Sequence, residues 1–404
     1  MTTKTGPIER QPLWFMALFA LAVSGGSIAY VPLLTVLLPI KITALMADQD
    51  VEALARVTFY GAIIASLANI AFGMLSDRFA NRTGWIAAGL VLSTVLLIAI
   101  GSASTLSQVI ILVMCWQIGL NMMLAPLVAW AGDCFPDEQK GTLGGFLAFG
   151  PAIGAMAGSL VTFEAIVPSD WRLIAVAVLV IVTVAPVLVL GRGHTRPELM
   201  RPVYEEDPEQ EAHPLRNRKA AVRMWIARFL VQISEAGLFA FLLFWLRSII
   251  PDFHENTAAN IFSLVLIAAV PVSLWLGSWS DRSAKPIIPL VATGALSSVG
   301  LLIMAFSGGI TVAIAGYVVF GIAATVFLSL HTGQTLRVLP KPQNRGRDLG
   351  VFNLTNTVPS LVMPWLTLTL VPSFGFSALF ICFAVLVALG AGLLAGVTNR
   401  LATP

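Results

Sequence analysis

Two eight-residue stretches, Gly73-Met74-Leu75-Ser76-Asp77-Arg78-Phe79-Ala80 and Gly277-Ser278-Trp279-Ser280-Asp281-Arg282-Ser283-Ala284, hold Gly, Ser, Asp, Arg and Ala at matching positions 204 residues apart. A repeat of that period in a chain of 404 residues means two related halves. Each copy directly follows an apolar run long enough to cross a bilayer and directly precedes another, so each reads as a tight turn between two membrane helices. A carboxylate in such a turn accepts hydrogen bonds from the free N–H groups of a helix mouth and favours the positive end of the helix dipole.

Composition leads to the same place. Hydrophobic residues make up 57% of the chain and charged residues 11%, whereas soluble domains run at about a quarter charged, so most of the surface must face lipid. Apolar runs of spanning length fall near 13–39, 57–75, 85–102, 108–130, 142–163, 172–191, 222–246, 258–277, 287–306, 310–333, 350–371 and 376–398. The spacing therefore predicts an all-α integral membrane protein of twelve transmembrane helices: a six-helix bundle over 1–191, a linker over 192–221 and a second bundle over 222–404. Gly150-Pro151, Pro359 and Pro364 are expected to kink their spans. The run at the N-terminus lacks a convincing cleavage site and reads as a retained first helix. Cys115, Cys134 and Cys382 have no metal-ligand spacing, so neither a zinc site nor a disulfide is expected.

Basic residues set the orientation. With both termini cytoplasmic, the seven segments on that side carry 19 of the 24 Lys and Arg, the five on the other side carry 4, and Arg228 lies inside a span. The stretch Arg192 to Arg223 holds seven of these bases, six acids and four prolines, and reads as a solvated tether between the halves.

At the two loops the chain resembles the major facilitator superfamily of secondary transporters, whose hallmark is a Gly-x-Leu-Ser/Ala-Asp-Arg-x-Gly-Arg-like loop after the second helix, echoed after the eighth. Gly73, Leu75, Ser76, Asp77, Arg78 and Arg82 match it; Ala80 replaces the second glycine, and Trp279 takes the Leu position of the second copy. The resemblance implies two six-helix bundles of pseudo-symmetric fold. It also implies that Asp77 faces the start of the eleventh span near Asp348 to Gly350, and that Asp281 faces the start of the fifth near Lys140 to Thr142. Arg78 would pair with Asp133 at the end of the fourth span, and Gly73, Gly277, Arg82 and Arg282 complete the gating motif. The Gly150-Pro151-Ala152-Ile153-Gly154 segment is similar to a fifth-helix pattern of exporters in this superfamily, but the fourth-helix arginine of those exporters, due near Cys115, is missing. Gly346 to Asn353 resembles the glycoside and sucrose transporter-like branch. The glycines Gly141, Gly145, Gly150, Gly154 and Gly158 would let a neighbouring backbone come close.

Polar residues at membrane depth are costly unless they face a partner or water. Gln117 and Asn121, His331 and Gln334, and Asn353 and Asn356 each share a helix face by spacing. Lining a cavity, they would supply donors and acceptors for a hydroxylated solute, with Tyr30, Phe239 and Trp365 as stacking surfaces. Interhelical hydrogen bonding is the competing role for each pair. Glu235 is the one acid deep inside a span, with Gln232 and Arg228 three and seven residues before it on one stripe. Arg228 and Glu235 stand roughly 10 Å apart along a rigid helix, so Gln232, water or substrate would have to bridge them. Such a carboxylate must be paired, hydrated or protonated, which makes Glu235 the leading proton-coupling residue, with Arg228 beside it and His331 next in line.

No phosphate-cradling Gly-x-x-x-x-Gly-Lys-Ser/Thr sequence, catalytic carboxylate pair, metal cluster or nucleophile elbow occurs. The expectation is a monomeric multi-pass protein of a bacterial inner membrane, neither an enzyme nor a nucleic-acid binder. It would need no cofactor beyond a coupling ion, H+, and would take a small polar, sugar-like solute into the cell. Export of drug-like compounds by proton antiport is the alternative, and a non-transporting assembly or sensor protein of the same fold is the third reading.

Overall fold

A computed structural model describes residues 10–46, 50–163, 165–196, 199, 218–250, 253, 255–339 and 344–398. In hydrocarbon an apolar run has to satisfy each peptide group within its own segment, and helix is the solution open to it. The helices are α1 (Leu13–Pro32), α2 (Leu38–Met46), α3 (Asp50–Phe79), α4 (Arg82–Gly101), α5 (Leu106–Cys134), α6 (Lys140–Leu147), α7 (Phe149–Thr162), α8 (Arg172–Leu190), α9 (Arg218–Ile249), α10 (Glu255–Arg282), α11 (Ile288–Ala305), α12 (Ile310–Val338), α13 (Arg345–Thr357) and α14 (Pro359–Thr398). Among the described residues, ten helical stretches are long and apolar enough to cross a membrane by length and composition. The other two expected spans also fall on helices. Run 222–246 lies within α9, and run 350–371 is divided between α13 and α14 at Val358.

Local chemistry sets the ends and breaks. Asn81 caps α4 by accepting from the Gly84 amide at 2.9 Å, and Thr105 caps α5 through Gln108. Pro32 has no N–H to give, and the helix widens after it into a π-helical turn, Leu33–Leu37, before resuming as α2. The break expected at Pro359 is present. The one expected at Gly150-Pro151 comes earlier, at Ala148, between α6 and α7. No break is seen at Pro364; inside α14 the non-helical residue is Gly375, at φ 73° and ψ 178°, a backbone that side chains resist. Ala80 and Ala284 end their loops at φ 49° and 50°, so the two repeats share one left-handed turn.

The chain groups into two compact units, and the grouping crosses the sequence halves: residues 1–139, 149–205 and 341–353 form one, residues 140–148, 206–340 and 354–404 the other. In the first unit α1 packs on α7 and α8, α4 on α5 and α8, and α3 on α5, around Phe15, Phe19, Trp116, Trp130 and Phe135. Gly154 lets α7 approach Ser27 of α1, where a Cβ would sit 2.9 Å from the serine Cβ. In the second unit α9 packs on α14, α11 on α12 and α14, and α6 on α10 and α12, around Phe320, Phe327, Phe380 and Phe383. The short α6 thus belongs with helices of the second half, and the start of α13 with helices of the first.

The expected tether begins docked rather than solvated. Arg196 donates its backbone N–H to the Asp133 carbonyl at 2.8 Å, and Trp130 Nε1 donates to Thr195 Oγ1 at 2.9 Å. The His194 ring stacks on Phe15 with centroids 4.1 Å apart. Aromatic side chains at the start of α1 and the end of α5 offer a surface that a polar-rich reading of this stretch overlooks. The acidic middle of the tether, Glu205 to Glu211, lies outside the described residues, and α9 starts at Arg218.

Candidate functional site

In the first unit, Asp77 at the end of α3 meets the mouth of α13. Its two carboxylate oxygens accept the amides of Gly346 and Arg347 at 2.9 Å each. The expected target, Asp348 to Gly350, is thus displaced to the two residues just before it, because the helix begins earlier, at Arg345. The approach requires glycine on both sides. A Cβ on Gly73 would overlap the Gly346 carbonyl oxygen, and one on Gly346 would overlap the Gly73 oxygen.

The arginine that pairs with Asp133 is not Arg78, which is exposed. Arg82 takes that place: Nε reaches Asp133 at 3.0 Å, and Nη1 reaches Asp77 at 2.7 Å and Ser76 Oγ at 2.6 Å. Arg78 ends a turn of α3 on its solvated side, whereas Arg82 opens α4 beneath the loop. Arg345 adds a second base to Asp133 at 2.9 Å, and its Nη2 donates to the Leu199 carbonyl. Four charges alternate as Asp77, Arg82, Asp133 and Arg345, with Asp133 1% and Arg345 2% exposed. The alternation is what allows charges to stand so far from water.

The second unit repeats the device with other parts. Asp281 at the end of α10 accepts the amides of Gly141 and Thr142 at 2.9 and 2.6 Å and the Thr142 hydroxyl at 2.6 Å, where the resemblance placed it. Gly277 and Gly141 make the same close approach as Gly73 and Gly346. Arg337, from the end of α12, pairs with Asp281 at 2.6 Å, while Arg282 is exposed like Arg78. The sequence places Arg82 in the motif without making it the partner of Asp133, and it gives no network role to Arg345 or Arg337. For Arg337 a signal existed: it stands 204 residues after Asp133.

A second polar cluster lies deep in the second unit. Gln232 Nε2 donates to Glu235 Oε2 at 2.6 Å on α9, yet Gln232 does not bridge onward to Arg228. Arg228 turns to α12 and α13 instead. Its Nη1 donates to the Leu328 carbonyl at 3.0 Å and Thr332 Oγ1 at 3.2 Å and lies 3.5 Å from His331 Nδ1, while Nη2 donates to Asn356 Oδ1 at 3.2 Å. His331 is fully buried rather than near water, with Nε2 3.0 Å from the Met224 carbonyl. That carbonyl requires a proton on Nε2, so Nδ1 of the neutral ring presents its lone pair towards Arg228, while Thr335 Oγ1, which donates to the His331 carbonyl at 2.8 Å, lies 3.1 Å from it.

The remaining candidates scatter. Gln117 and Asn121 are buried in the first unit and join Asn69, whose Nδ2 donates to Asn121 Oδ1 at 2.9 Å; this is the interhelical alternative for that pair. Gln334 is buried and donates to Ser280 Oγ beside the Asp281 loop, so it serves the loop rather than the Arg228 cluster. Asn356 belongs to that cluster, but Asn353 of the same helix groups with the first unit. Tyr30 is 38% and Trp365 66% exposed. The Phe239 side chain lies outside the described residues. Among the described residues no group of three His, Cys, Asp or Glu side chains could hold a metal.

No curated protein matches the chain. Solved structures do match its fold. The human organic anion transporter TETRAN has TM-score 0.73 and 14% identity, covering 95% of this chain and all of that one. A bacterial homologue of the iron transporter ferroportin has TM-score 0.75 and 14% identity, covering 96% and 99%. The E. coli fucose:proton symporter has TM-score 0.69 and 14% identity, covering 95% and 98%. At such identity these likenesses speak to fold, and they agree with an all-α membrane architecture of two six-helix halves. The family model of the Major Facilitator Superfamily matches residues 13–330 and again 224–402, so the chain belongs to the major facilitator superfamily, a multi-pass transporter of the membrane.

Proposed function

We propose that this transporter moves a small polar organic solute by alternating access, with the proton as coupling ion and Glu235 as its carrier. The observation behind the reading is the setting of Glu235: a carboxylate on an otherwise apolar stretch of α9 whose hydrogen-bond partner is the neutral Gln232 amide, with no base within ion-pair distance among the described residues. An acid so placed is inexpensive when protonated and costly when charged, so its occupancy responds to any change in hydration between two states of the site. In the gating reading, the Asp77 and Asp281 clamps join helices of opposite sequence halves and would close one side of the pathway, the cytoplasmic one by the distribution of Lys and Arg.

Uptake is the favoured direction. The fifth-helix Gly-Pro segment of exporters is present, but Gly150 and Gly154 are used for packing on α1, and the exporters' fourth-helix arginine is absent. The test is transport by Glu235→Gln in reconstituted vesicles. Gradient-driven accumulation should disappear while exchange at equal concentrations survives. Wild-type accumulation with unchanged pH dependence in that variant would move the proton site elsewhere.

A further inference from the structure

We infer that the solute is a hydroxylated organic monoanion, such as a sugar acid or hydroxy acid, whose carboxylate is received at Arg228 and whose entry is matched by one proton on Glu235. The inference rests on the proton-coupled reading above and adds the charge of the cargo.

Its basis is the company Arg228 keeps. The guanidinium sits inside the seventh span, and every hydrogen-bond partner it has among the described residues is neutral: the Leu328 carbonyl, Thr332 Oγ1, His331 Nδ1 and Asn356 Oδ1. Elsewhere among the described residues, the buried arginines are given carboxylates, two to Arg82 and one each to Arg345 and Arg337, while the buried Lys140 donates to the Leu336 carbonyl. Arg228 is held in place without being neutralised locally. Three acceptors on α12 fix Nη1, while Nη2 turns to the exposed Asn356 on α13, so one edge of the fork stays open to whatever reaches that side chain. A planar guanidinium with a free edge is matched to a carboxylate, and Thr332, Asn356 and Gln232 around it suit hydroxyl groups.

Charge bookkeeping then links cargo to proton. Empty, the cluster holds Arg228 and an ionised Glu235, about two helical turns or roughly 10 Å apart, and sums to zero. A carboxylate arriving at Arg228 leaves the cluster at minus one in a low-dielectric setting unless Glu235 takes a proton, which restores zero. The other titratable groups nearby among the described residues are His331 and Tyr317 of α12. His331 offers Arg228 a lone pair, and the Tyr317 phenol lies within electrostatic range of Glu235. Neither supplies a negative charge at neutral pH. The transported unit, anion plus proton, carries no net charge.

The experiment uses the full chain in proteoliposomes with radiolabelled gluconate and lactate as anionic probes and glucose and glycerol as neutral ones, under an inward proton gradient. Gluconate or lactate should accumulate at a rate unchanged when valinomycin and potassium set the membrane potential to either sign. Arg228→Gln should lower both that uptake and equal-concentration exchange at least tenfold, Arg228→Lys should restore part of each, and Glu235→Gln should lose accumulation alone. Accumulation of glucose or glycerol that Arg228→Gln leaves intact, or uptake that follows the membrane potential, overturns the anion assignment and leaves the transporter reading standing. No accumulation of any probe in the wild type overturns the assignment for these two classes of acid. Anion exchange unaffected by Glu235→Gln together with anion accumulation unaffected by it overturns the proton reading instead.

Discussion

Asp133 and Arg337 close equivalent helices 204 residues apart, the interval that separates Asp77 from Asp281, and they carry opposite charges. The inversion explains why the two clamps are wired differently. Arg337 reaches Asp281 directly at 2.6 Å, and the position equivalent to Arg82 is Pro286. Asp133 would repel Asp77, so Arg82 stands between the two carboxylates and binds both. The surplus acid is then balanced by Arg345 from the other half of the sequence.

Removing Asp133 should therefore be severe. In Asp133→Asn the nearly inaccessible Arg82 keeps Asp77 alone and Arg345 loses its ion pair with Asp133, and breaking a buried pair in this way costs about 3–5 kcal/mol. Thermal unfolding of the purified protein in detergent should show a clear drop in Tm. Combining Asp133→Asn with Arg345→Gln should cost less than the sum of the two single changes; strict additivity would mean that the pair does not interact.

The left-handed turns at Ala80 and Ala284 predict the opposite sign. An L-residue in that region carries a strain of roughly 1–2 kcal/mol that glycine escapes, and the greater freedom of glycine in the unfolded chain returns part of it. Ala80→Gly and Ala284→Gly should each raise stability by about 0.5–1 kcal/mol with transport unchanged. A lower Tm in both variants would remove strain as the description of these turns.

Much of this was legible in the sequence because the bilayer is a simple solvent. Run lengths located the helices, the repeat of Gly, Ser, Asp and Arg located the two loops, and the resemblance they carry implied the contact of Asp281 with Gly141 and Thr142. What escaped depends on three-dimensional proximity. Arg78 and Arg82 are both bases near Asp77, and only the turn through Ala80 decides that Arg82 points inward. Spacing put Arg228, Gln232 and Glu235 on one stripe, but it could not show that Arg228 would find better acceptors on α12 and α13 than along its own helix. The docking of His194 on Phe15 joins residues 179 positions apart in a stretch whose charge content reads as solvated.

That docked segment should respond to pH. His194 Nδ1 lies 2.8 Å from Gln11 Oε1, and its carbonyl accepts from Gln11 Nε2 at 2.9 Å. Partial burial and then the nearby Arg196 charge hold the ring below the ordinary histidine value. A depressed value for a base means that docking favours the neutral ring. The stabilisation is full above the free histidine value of about 6.5 and is lost as pH falls through the docked value. The protection of the Gly191 to Arg196 amides, taken relative to their intrinsic exchange rates at each pH, should fall on acidification through that window. His194→Phe keeps the stacking and removes the titration, so its exchange should show no acid-dependent step; a step that persists would assign the effect to another group.

The glycine contacts give the sharpest test of the clamps. At Gly73 the obstacle to a side chain is the Gly346 carbonyl oxygen, a backbone atom that cannot rotate away. In Gly73→Ala the start of α13 must therefore withdraw, and Asp77 loses the Gly346 and Arg347 amides that it now holds at 2.9 Å. Asp77→Asn leaves the backbones in contact but removes the charge that favours the helix mouth, a loss on the order of 1 kcal/mol. Amide exchange over Arg345 to Asp348 should thus be fastest in Gly73→Ala, intermediate in Asp77→Asn and slowest in the wild type. Gly277→Ala serves as the internal control. Its added methyl would overlap the Gly141 carbonyl, so it should speed exchange at Gly141 and Thr142 while leaving Arg345 to Asp348 as in the wild type. Wild-type exchange at Arg345 to Asp348 in Gly73→Ala would mean that the helix start is not held by this contact, and the closing role of the Asp77 loop would fall with it.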